Sequence, residues 1–534
     1  MDFIDDRSYR NTTLAAEAQA RAADTPEAVA IYFDDGSALC YGEAWREGQA
    51  LAAALRQAGL EPGDTLSFQL PNSREAVILA IAASIAGLVI NPIVPIYRGR
   101  ELSFILADAG TRALFIPSVY RSFDFVAMID DLRGNLPALS TVVVVGADNR
   151  ELPEGFSAFE RFAAAAGDER AEPVTVDPDA VKIVLYTSGT TGNPKAVRHS
   201  HNTLEKALQN GVAGWSLGAE DLMLMPSPVT HVTGYVNGIE LPFFCATRSL
   251  LMSAWDVNRA IELIEARGAT VCVSATPFLR ELVDRADALG KTLPGFRLFA
   301  CGGASVPPSL IYDADRVLAD CRAVRVYGST EAPLVTVGFP AAGDLELAAE
   351  TDGRINNYEV IVCDDDGRDL GVDAEGEILV RGPAMMLGYA DEGQNAAAFS
   401  PAGFFHTGDI GKLLPSGAIC ITDRKKDIII RGGENLSARE IEEAIEGLEA
   451  VAEVAVVAVP HERLGEGVAA VVVPRDGAEA PTLEAVLACL GELGLARQKW
   501  PQYLECRDAL PKTPSGKVQK EILRKALREA GVQL

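Results

Sequence analysis

The alternation of apolar and polar positions predicts a chain in which helices and short strands follow one another. Between residues 12 and 144, alanine-rich helical stretches such as 50–58 and 75–86 alternate with short apolar runs such as 65–70 and 141–145. This alternation is typical of a parallel sheet covered by helices on both faces. It resumes between residues 181 and 326, so the sequence predicts two doubly wound α/β subdomains.

The pattern changes after residue 352. Short strands broken by Gly and Asp follow up to residue 414, which predicts a small antiparallel sheet or β-barrel-like subdomain. After Arg424 the helix and strand periods mix, and Ser437 and Glu440 have the spacing of a capping box that starts a helix. We therefore expect a large N-terminal domain over residues 1–424 and a small α+β C-terminal domain over residues 425–534.

Composition narrows the classes of function. A chain of 534 residues is too long for one core, and 48 Lys and Arg against 75 Asp and Glu leave a net charge of −27. This charge argues against nucleic-acid binding. The apolar run 76–90 is shorter than the ~20 residues that cross a bilayer, so we expect no integral membrane association. Nine scattered cysteines without C-x-x-C favour a reducing, cytoplasmic location. The sequence is compatible with a monomer or a homodimer.

One string in the sequence concentrates groups that bind phosphate. It begins right after the strand-like run 181–185 and ends in Lys195; its members are Thr187, Ser188, Gly189, Thr190, Thr191 and Gly192. Glycines let the backbone approach an anion, hydroxyls donate to phosphate oxygens, and the lysine adds a positive charge. The string is not a Walker A loop, because the Gly-Lys-Ser/Thr ending is missing and residues 196–199 alternate like a returning strand.

At this string the sequence resembles the adenylate-forming superfamily of acyl-CoA synthetases, peptide-synthetase adenylation domains and luciferases. Four further matches follow in the expected order: Tyr327-Gly328-Ser329-Thr330-Glu331, Thr407-Gly408-Asp409, Asp423-Arg424 with the segment through Arg431-Gly432-Gly433-Glu434, and Pro511 to Lys517. The matches span nearly the whole chain and are most like those of an AMP-forming acyl-CoA synthetase. The resemblance implies ATP, Mg²⁺ and coenzyme A as ligands.

The resemblance also implies a role for each matching residue. ATP would be bound by Thr187 to Gly192, Lys195, Gly302, Gly303, Ala304, Tyr327, Gly328, Thr330, Asp409 and Arg424, and the pantetheine of coenzyme A would pass Gly432 and Gly433. Glu331 and Thr190 would hold Mg²⁺, which prefers carboxylate and phosphate oxygens. Lys517, Thr190, Glu331 and His231 would be the catalytic residues. Lys426 would be the hinge of a mobile C-terminal domain, because one active site must first place Lys517 at the phosphates and then admit pantetheine.

The function implied is that of a carboxylic acid:CoA ligase that forms AMP. Apolar residues after His231 favour a medium-chain, alicyclic or aromatic acid (Val232, Tyr235, Val236, Phe243 and Phe244). The alternative is a free-standing enzyme that loads an acyl or peptidyl carrier protein. A luciferase-like oxygenase would share these motifs without any mark of its own, and a non-catalytic relative would be expected to lose the matching Lys, Glu and Asp.

Overall fold

The computed structural model describes residues 8–148, 150–187, 194–304, 306–431, 434–513 and 516–534, and of Asn435 only the backbone. Within these residues, two large sheets and their helices form the N-terminal part of the chain. A small antiparallel sheet and a C-terminal sheet with its own helices follow.

The first large sheet is parallel apart from one hairpin at its edge. Its strands lie in the order Arg322–Val326, Leu298–Gly302, Val271–Ser274, Leu222–Met225, Arg248–Leu251, Val29–Phe33 and Ala38–Cys40. Helices in this part of the chain are Val257–Arg267, Thr276–Leu289, Pro308–Val317 and Leu345–Glu350, together with the short Val232–Gly234, the π-helix Tyr235–Glu240 and Leu241–Cys245. Parallel order places the carboxyl ends of neighbouring strands at one edge, where ligands bind in such sheets.

The second large sheet is parallel in its centre and antiparallel at one side. Its strands lie in the order Gly388–Tyr389, Lys195–Ser200, Val181–Thr187, Val89–Pro92, Thr65–Phe68, Thr111–Pro117, Thr141–Val145 and Phe156–Ala158. The accompanying helices are Leu14–Asp24, Tyr41–Gln57, Arg74–Ala86, Gly99–Asp108, Phe125–Leu132, Phe159–Ala163 and His201–Trp215. A separate two-stranded ribbon joins Val119–Tyr120 to Phe123–Asp124, and short 3₁₀ turns lie at Arg133–Asn135 and Ala164–Ala166.

The apolar run 76–90 is a buried helix that leads into a strand. From Ala76 to Ala86 every residue of the helix Arg74–Ala86 is buried, and the strand Val89–Pro92 follows after Gly87. One core contains apolar side chains from both large sheets and from the helices between them. Among the described residues, no helix has both the length and the apolar character that crossing a bilayer requires.

The small sheet is antiparallel throughout, as the Gly- and Asp-broken strands predict. Its strands lie in the order Glu359–Cys363, Glu375–Arg381, Phe405–Leu413 and Ile419–Arg424, and the helix Glu392–Ala398 lies between the second and third in the chain. The next sheet begins at Ile429, only a few residues after Arg424. This short connection contains Lys426, the predicted hinge.

The C-terminal sheet has apolar side chains on both faces. Its long strands Val451–His461 and Gly465–Pro474 pair with each other; Ile429–Arg431, Glu434–Leu436 and Tyr503–Cys506 complete it. Side chains of a strand alternate between faces, so Val454 and Val456 pack in one cluster with the helices Ala438–Glu446 and Leu483–Glu492. Ala455 and Val457 pack on the other face with the helix Lys520–Glu529. A 3₁₀ turn lies at Arg497–Lys499.

Candidate active site

A hairpin carries both ends of the predicted phosphate loop. The strands Val181–Thr187 and Lys195–Ser200 are antiparallel, and Thr187 lies opposite Lys195. The chain therefore returns as a strand after the loop, as the alternation of residues 196–199 predicts. The loop residues Ser188, Gly189, Thr190, Thr191 and Gly192 lie outside the described residues, so their roles stay predictions.

Glu331 and Lys195 lie on either side of a tyrosine that sequence reasoning missed. The hydroxyl of Tyr389 donates a hydrogen bond of 2.9 Å to Oε1 of Glu331. The Nζ of Lys195 lies 4.8 Å from the centroid of the same ring. A carboxylate and an ammonium group are thus brought close together at the end of the hairpin.

The segment 327–331 is held by buried contacts on its backbone. The backbone N–H of Tyr327 donates to Oγ1 of Thr336 at 2.7 Å. Gly328 admits no side chain, because a Cβ there would lie 2.6 Å from the backbone nitrogen of Leu334. Burial lowers the pKa of His199 to about 4, so its ring is neutral and donates from Nε2 to the carbonyl oxygen of Thr330 at 2.7 Å.

The predicted adenine shelf begins at a strand end beside this segment. Gly302 is the last residue of the strand Leu298–Gly302 and pairs with Val326. A Cβ on Gly302 would lie 2.4 Å from the carbonyl oxygen of Val326, so close strand packing already requires glycine there. Gly303 has a φ of +82° and open space around it, and Ala304 is only partly buried. A flat ligand could therefore lie against Gly303 and Ala304.

Asp409 lies at the centre of a polar group with Tyr327 and Arg424. Tyr327 donates from its hydroxyl to Oδ2 of Asp409 at 2.7 Å, and Nε of Arg424 lies 3.0 Å from Oδ1. Asp409 is 5% exposed, and these two partners hold its carboxylate in place. A carboxylate can accept about four hydrogen bonds, so acceptor capacity remains for a sugar hydroxyl.

Lys517, in the C-terminal domain, lies within electrostatic reach of Asp409 and Arg424, and Thr513 fixes its backbone. The backbone N–H of Thr513 donates to the carbonyl of Lys517 at 2.7 Å, and the Lys517 N–H donates to Oγ1 of Thr513 at 3.1 Å. Gly516 has a φ of +83°, and a Cβ there would lie 3.1 Å from Pro277 in the large domain. Burial, with a further contribution from the charge of Arg424, lowers the pKa of Lys517 to about 7.

His231, another member of the predicted catalytic set, lies within electrostatic reach of Lys517. It precedes the short helix Val232–Gly234, and its Nδ1 accepts from the N–H of Thr233 at 3.4 Å. Burial, and then the charge of Lys517, lower the pKa of His231 to about 4. The imidazole is therefore neutral near pH 7 and suited to positioning a ligand by a hydrogen bond.

The apolar residues that follow His231 belong to the core. Tyr235 and Phe243 are fully buried, and Val232, Val236 and Phe244 are at most 7% exposed. The partly accessible positions on this segment are His231, Thr233 and Asn237. The face open to a ligand is thus more polar than the sequence pattern predicts.

The predicted hinge is bound to the last helix of the chain. Arg524 donates to the carbonyl oxygen of Lys426 at 3.2 Å and forms an ion pair with Asp427. Asp427 and Arg524 are 7% and 9% exposed. The sequence pattern does not predict the contact between Asp427 and Arg524, because the two residues lie 97 positions apart. Gly432 and Gly433, predicted to border the pantetheine path, lie outside the described residues.

Comparison with known families agrees with this arrangement. The profile of the AMP-binding enzyme family matches residues 18–390, and that of the AMP-binding enzyme C-terminal domain matches residues 440–517. The chain belongs to the AMP-binding enzyme family. Each of the two matched segments contains residues of the candidate site, so the family's two-part organisation is present here.

Two curated relatives of this AMP-binding enzyme match over almost the whole chain. A medium-chain fatty-acid–CoA ligase from Escherichia coli is 32% identical over 97% of this chain and 91% of its own length. An indoleacetate–CoA ligase from Aromatoleum aromaticum is 33% identical, covering 93% of this chain and 95% of its own.

A solved structure of similar sequence covers nearly the whole chain. ATP-bound MatB from Rhodopseudomonas palustris is 29% identical and superposes with a TM-score of 0.86, covering 97% of this chain and 99% of that chain. The apo form of the same protein covers the same shares with a TM-score of 0.74. This chain thus superposes with a higher TM-score on the ATP-bound form than on the apo form.

Proposed function

We propose that this protein is a carboxylic acid:CoA ligase that forms an acyl-adenylate from ATP and transfers the acyl group to coenzyme A. The observation that carries the proposal is the position of Lys517. A cation from the C-terminal domain lies within electrostatic reach of Asp409 and Arg424, the two residues predicted to bind the nucleotide. The whole-length similarity to acid–CoA ligases supports the same reaction.

The first half-reaction joins the acid to the α-phosphorus of Mg·ATP. A carboxylate oxygen forms the new bond to phosphorus, and the bond to the bridging oxygen breaks so that pyrophosphate leaves. Lys517 would offset the negative charge that develops on the phosphates, and Arg424 would contribute at the sugar side. His231, which is neutral, would position this carboxylate by a hydrogen bond.

Glu331 suits the cation that accompanies ATP. Mg²⁺ usually keeps waters and phosphate oxygens and takes only one or two protein carboxylates. Among the described residues, no cluster of three or more His, Cys, Asp or Glu side chains could form a closed metal cage. A single carboxylate fixed by Tyr389 is therefore a fitting donor set for Mg²⁺ that arrives with the nucleotide.

The second half-reaction requires Lys517 to leave. The thiolate of coenzyme A attacks the acyl carbonyl, a C–S bond forms, the C–O bond to phosphate breaks, and AMP is released. The C-terminal domain would rotate about Lys426, in the short connection between Arg424 and the strand that begins at Ile429. Rotation has to break or carry along the contacts of Arg524 with Lys426 and Asp427.

The acid class proposed is medium-chain, alicyclic or aromatic. Relatives with medium-chain and indole acids support it. The accessible residues Thr233 and Asn237 add polar groups beside His231, so acids with a hydroxyl or ring nitrogen belong in any test panel.

Product analysis tests the proposal. The purified protein is incubated with Mg·ATP and a panel of acids, with or without coenzyme A, and the products are identified by mass spectrometry; Lys517→Ala is the matched control. We expect AMP and acyl-CoA from at least one acid. Acyl-AMP that reacts only with a phosphopantetheinyl carrier protein would favour the carrier-loading alternative, and no acyl-AMP from any acid would refute both.

A further inference from the structure

Tyr389 contacts two of the residues predicted to bind Mg·ATP. Its hydroxyl donates to Oε1 of Glu331 at 2.9 Å, and its ring centroid lies 4.8 Å from Nζ of Lys195. Tyr389 is 3% exposed, so its side of both contacts is shielded from water, while Glu331 and Lys195 are partly exposed. Hydrogen bonds to charged groups and cation–π contacts are stronger when they are desolvated.

The backbone of Tyr389 is fixed from both sides. The two-residue strand Gly388–Tyr389 pairs with Lys195–Ser200, and Tyr389 lies opposite Val197. Asn395 accepts from the Tyr389 N–H at 2.8 Å and donates to the Tyr389 carbonyl at 3.1 Å. A side chain on a backbone held in this way has a fixed origin, which is what a residue that orients others needs.

The direction of the hydrogen bond is also fixed. An ionised carboxylate can only accept, and a phenol is protonated near pH 7, so the hydroxyl of Tyr389 donates to Glu331. The bond uses one acceptor position of a carboxylate that offers about four, which leaves capacity for a cation.

We propose that Tyr389 is a positioning residue for Mg·ATP, with its hydroxyl orienting Glu331 toward the cation and its ring holding the ammonium group of Lys195. The inference rests on the proposed function, because it requires that Mg·ATP binds at Glu331. The two contacts use different parts of one side chain. Phenylalanine keeps the ring and removes only the hydroxyl, so the contacts can be separated by experiment.

Calorimetric binding of a non-hydrolysable ATP analogue, with no acid present, tests the separation. Each variant is titrated once with Mg²⁺ and once with EDTA, and the ratio of the two affinities gives the gain due to Mg²⁺. We expect Tyr389→Phe to keep the affinity in EDTA and to lose about tenfold of the Mg²⁺ gain, as for a lost hydrogen bond to a charged group. Tyr389→Leu should also weaken binding in EDTA severalfold, because Lys195 loses the ring.

Tyr358→Phe is the matched control. Tyr358 belongs to the same apolar cluster as Tyr389, is 8% exposed, and donates from its hydroxyl to the carbonyl oxygen of Pro333 at 2.9 Å. Loss of this hydroxyl should leave both affinities unchanged, because it bonds to the backbone carbonyl of Pro333 and not to Glu331. A Mg²⁺ gain that falls equally in both Phe variants would overturn the proposal in favour of a purely structural role.

A double-mutant comparison locates the effect at Glu331. Glu331→Gln should reduce the Mg²⁺ gain, and adding Tyr389→Phe should reduce it no further, because the partner is already altered. Full additivity, or a wild-type Mg²⁺ gain in Tyr389→Phe, would overturn the inference while leaving the proposed ligase intact. Nucleotide binding by the wild type that is indifferent to Mg²⁺ would instead contradict the proposed use of Mg·ATP.

Discussion

Because of Lys517, kcat/KM for ATP should depend on pH and should fall as the solution becomes alkaline. Burial, followed by the charge of Arg424, lowers the pKa of this lysine to about 7 in the nucleotide-free protein. The group carries its positive charge below that pKa and loses it above. Because the proposed role of this charge is to offset the phosphates, adenylation at low ATP should weaken as the pH rises, and not as it falls.

The size of the effect follows from the fraction of protonated lysine. For a pKa of about 7, roughly one tenth of Lys517 is charged at pH 8 and roughly one hundredth at pH 9. The value of kcat/KM for ATP reports the free enzyme, so it should fall about tenfold per pH unit above 8. The phosphates of bound ATP favour the charged form, so kcat should stay level to higher pH.

Pyrophosphate release at saturating acid, between about pH 7 and 9.5, measures both quantities. Lys517→Arg carries a charge that persists throughout this range, so its kcat/KM should be lower than that of the wild type but should not fall with pH. Lys426→Ala is the control for the neighbouring lysine, whose pKa burial also lowers, and it should keep the alkaline fall. A flat profile in the wild type, or the same fall in Lys517→Arg, would refute the reasoning.

Three further predictions concern the C-terminal domain. Lys517→Ala should reduce formation of acyl-AMP by ~10² or more, measured by pyrophosphate release, while purified acyl-AMP still reacts with coenzyme A; equal loss of both steps would contradict this. Lys426→Pro fixes φ near −65°, so we expect adenylation to persist and acyl transfer to fall by orders of magnitude, whereas Lys426→Ala should reduce acyl transfer much less. Loss of both steps in a folded Lys426→Pro variant would place the hinge elsewhere. Ser437 caps the helix Ala438–Glu446 and donates to the carbonyl of Thr422 at 2.9 Å. Ser437→Ala should therefore lower the free energy of unfolding by about 1 to 2 kcal/mol in denaturant titrations, and Ser437→Thr should retain most of the wild-type stability.

Elements with strong local signals were predictable from sequence. The strand Thr141–Val145 has the predicted bounds, and Ser437 accepts from the N–H of Glu440 at the start of the predicted helix. Their apolar period or capping residues are complete within the element itself. The strand Gly388–Tyr389 is different, because two residues contain no period and become a strand only through pairing with a distant one.

The candidate site also contains residues that the sequence predicts and one residue that it does not. Ordered motifs predicted Asp409, Arg424 and Lys517, and the structure brings their charges together. The sequence does not predict a role for Tyr389, because a tyrosine next to an apolar run is more often a core residue and its partner Glu331 lies 58 positions away. The Gly-Tyr pair directly after an apolar run was the available signal, but without the fold it could not be linked to Glu331.

The pairing of Gly388–Tyr389 with Lys195–Ser200 also has a consequence for synthesis of the chain. Arg198 bonds to the carbonyl of Gly388, 190 positions later, so at 5–20 residues per second the earlier strand waits roughly 10 to 40 s for its partner. During that interval one of its edges is an open template for other strands. Pro194, Lys195 and Arg198 are residues of the kind that discourage such pairing. Lys195, which is predicted to bind ATP, would therefore also protect the nascent chain from aggregation.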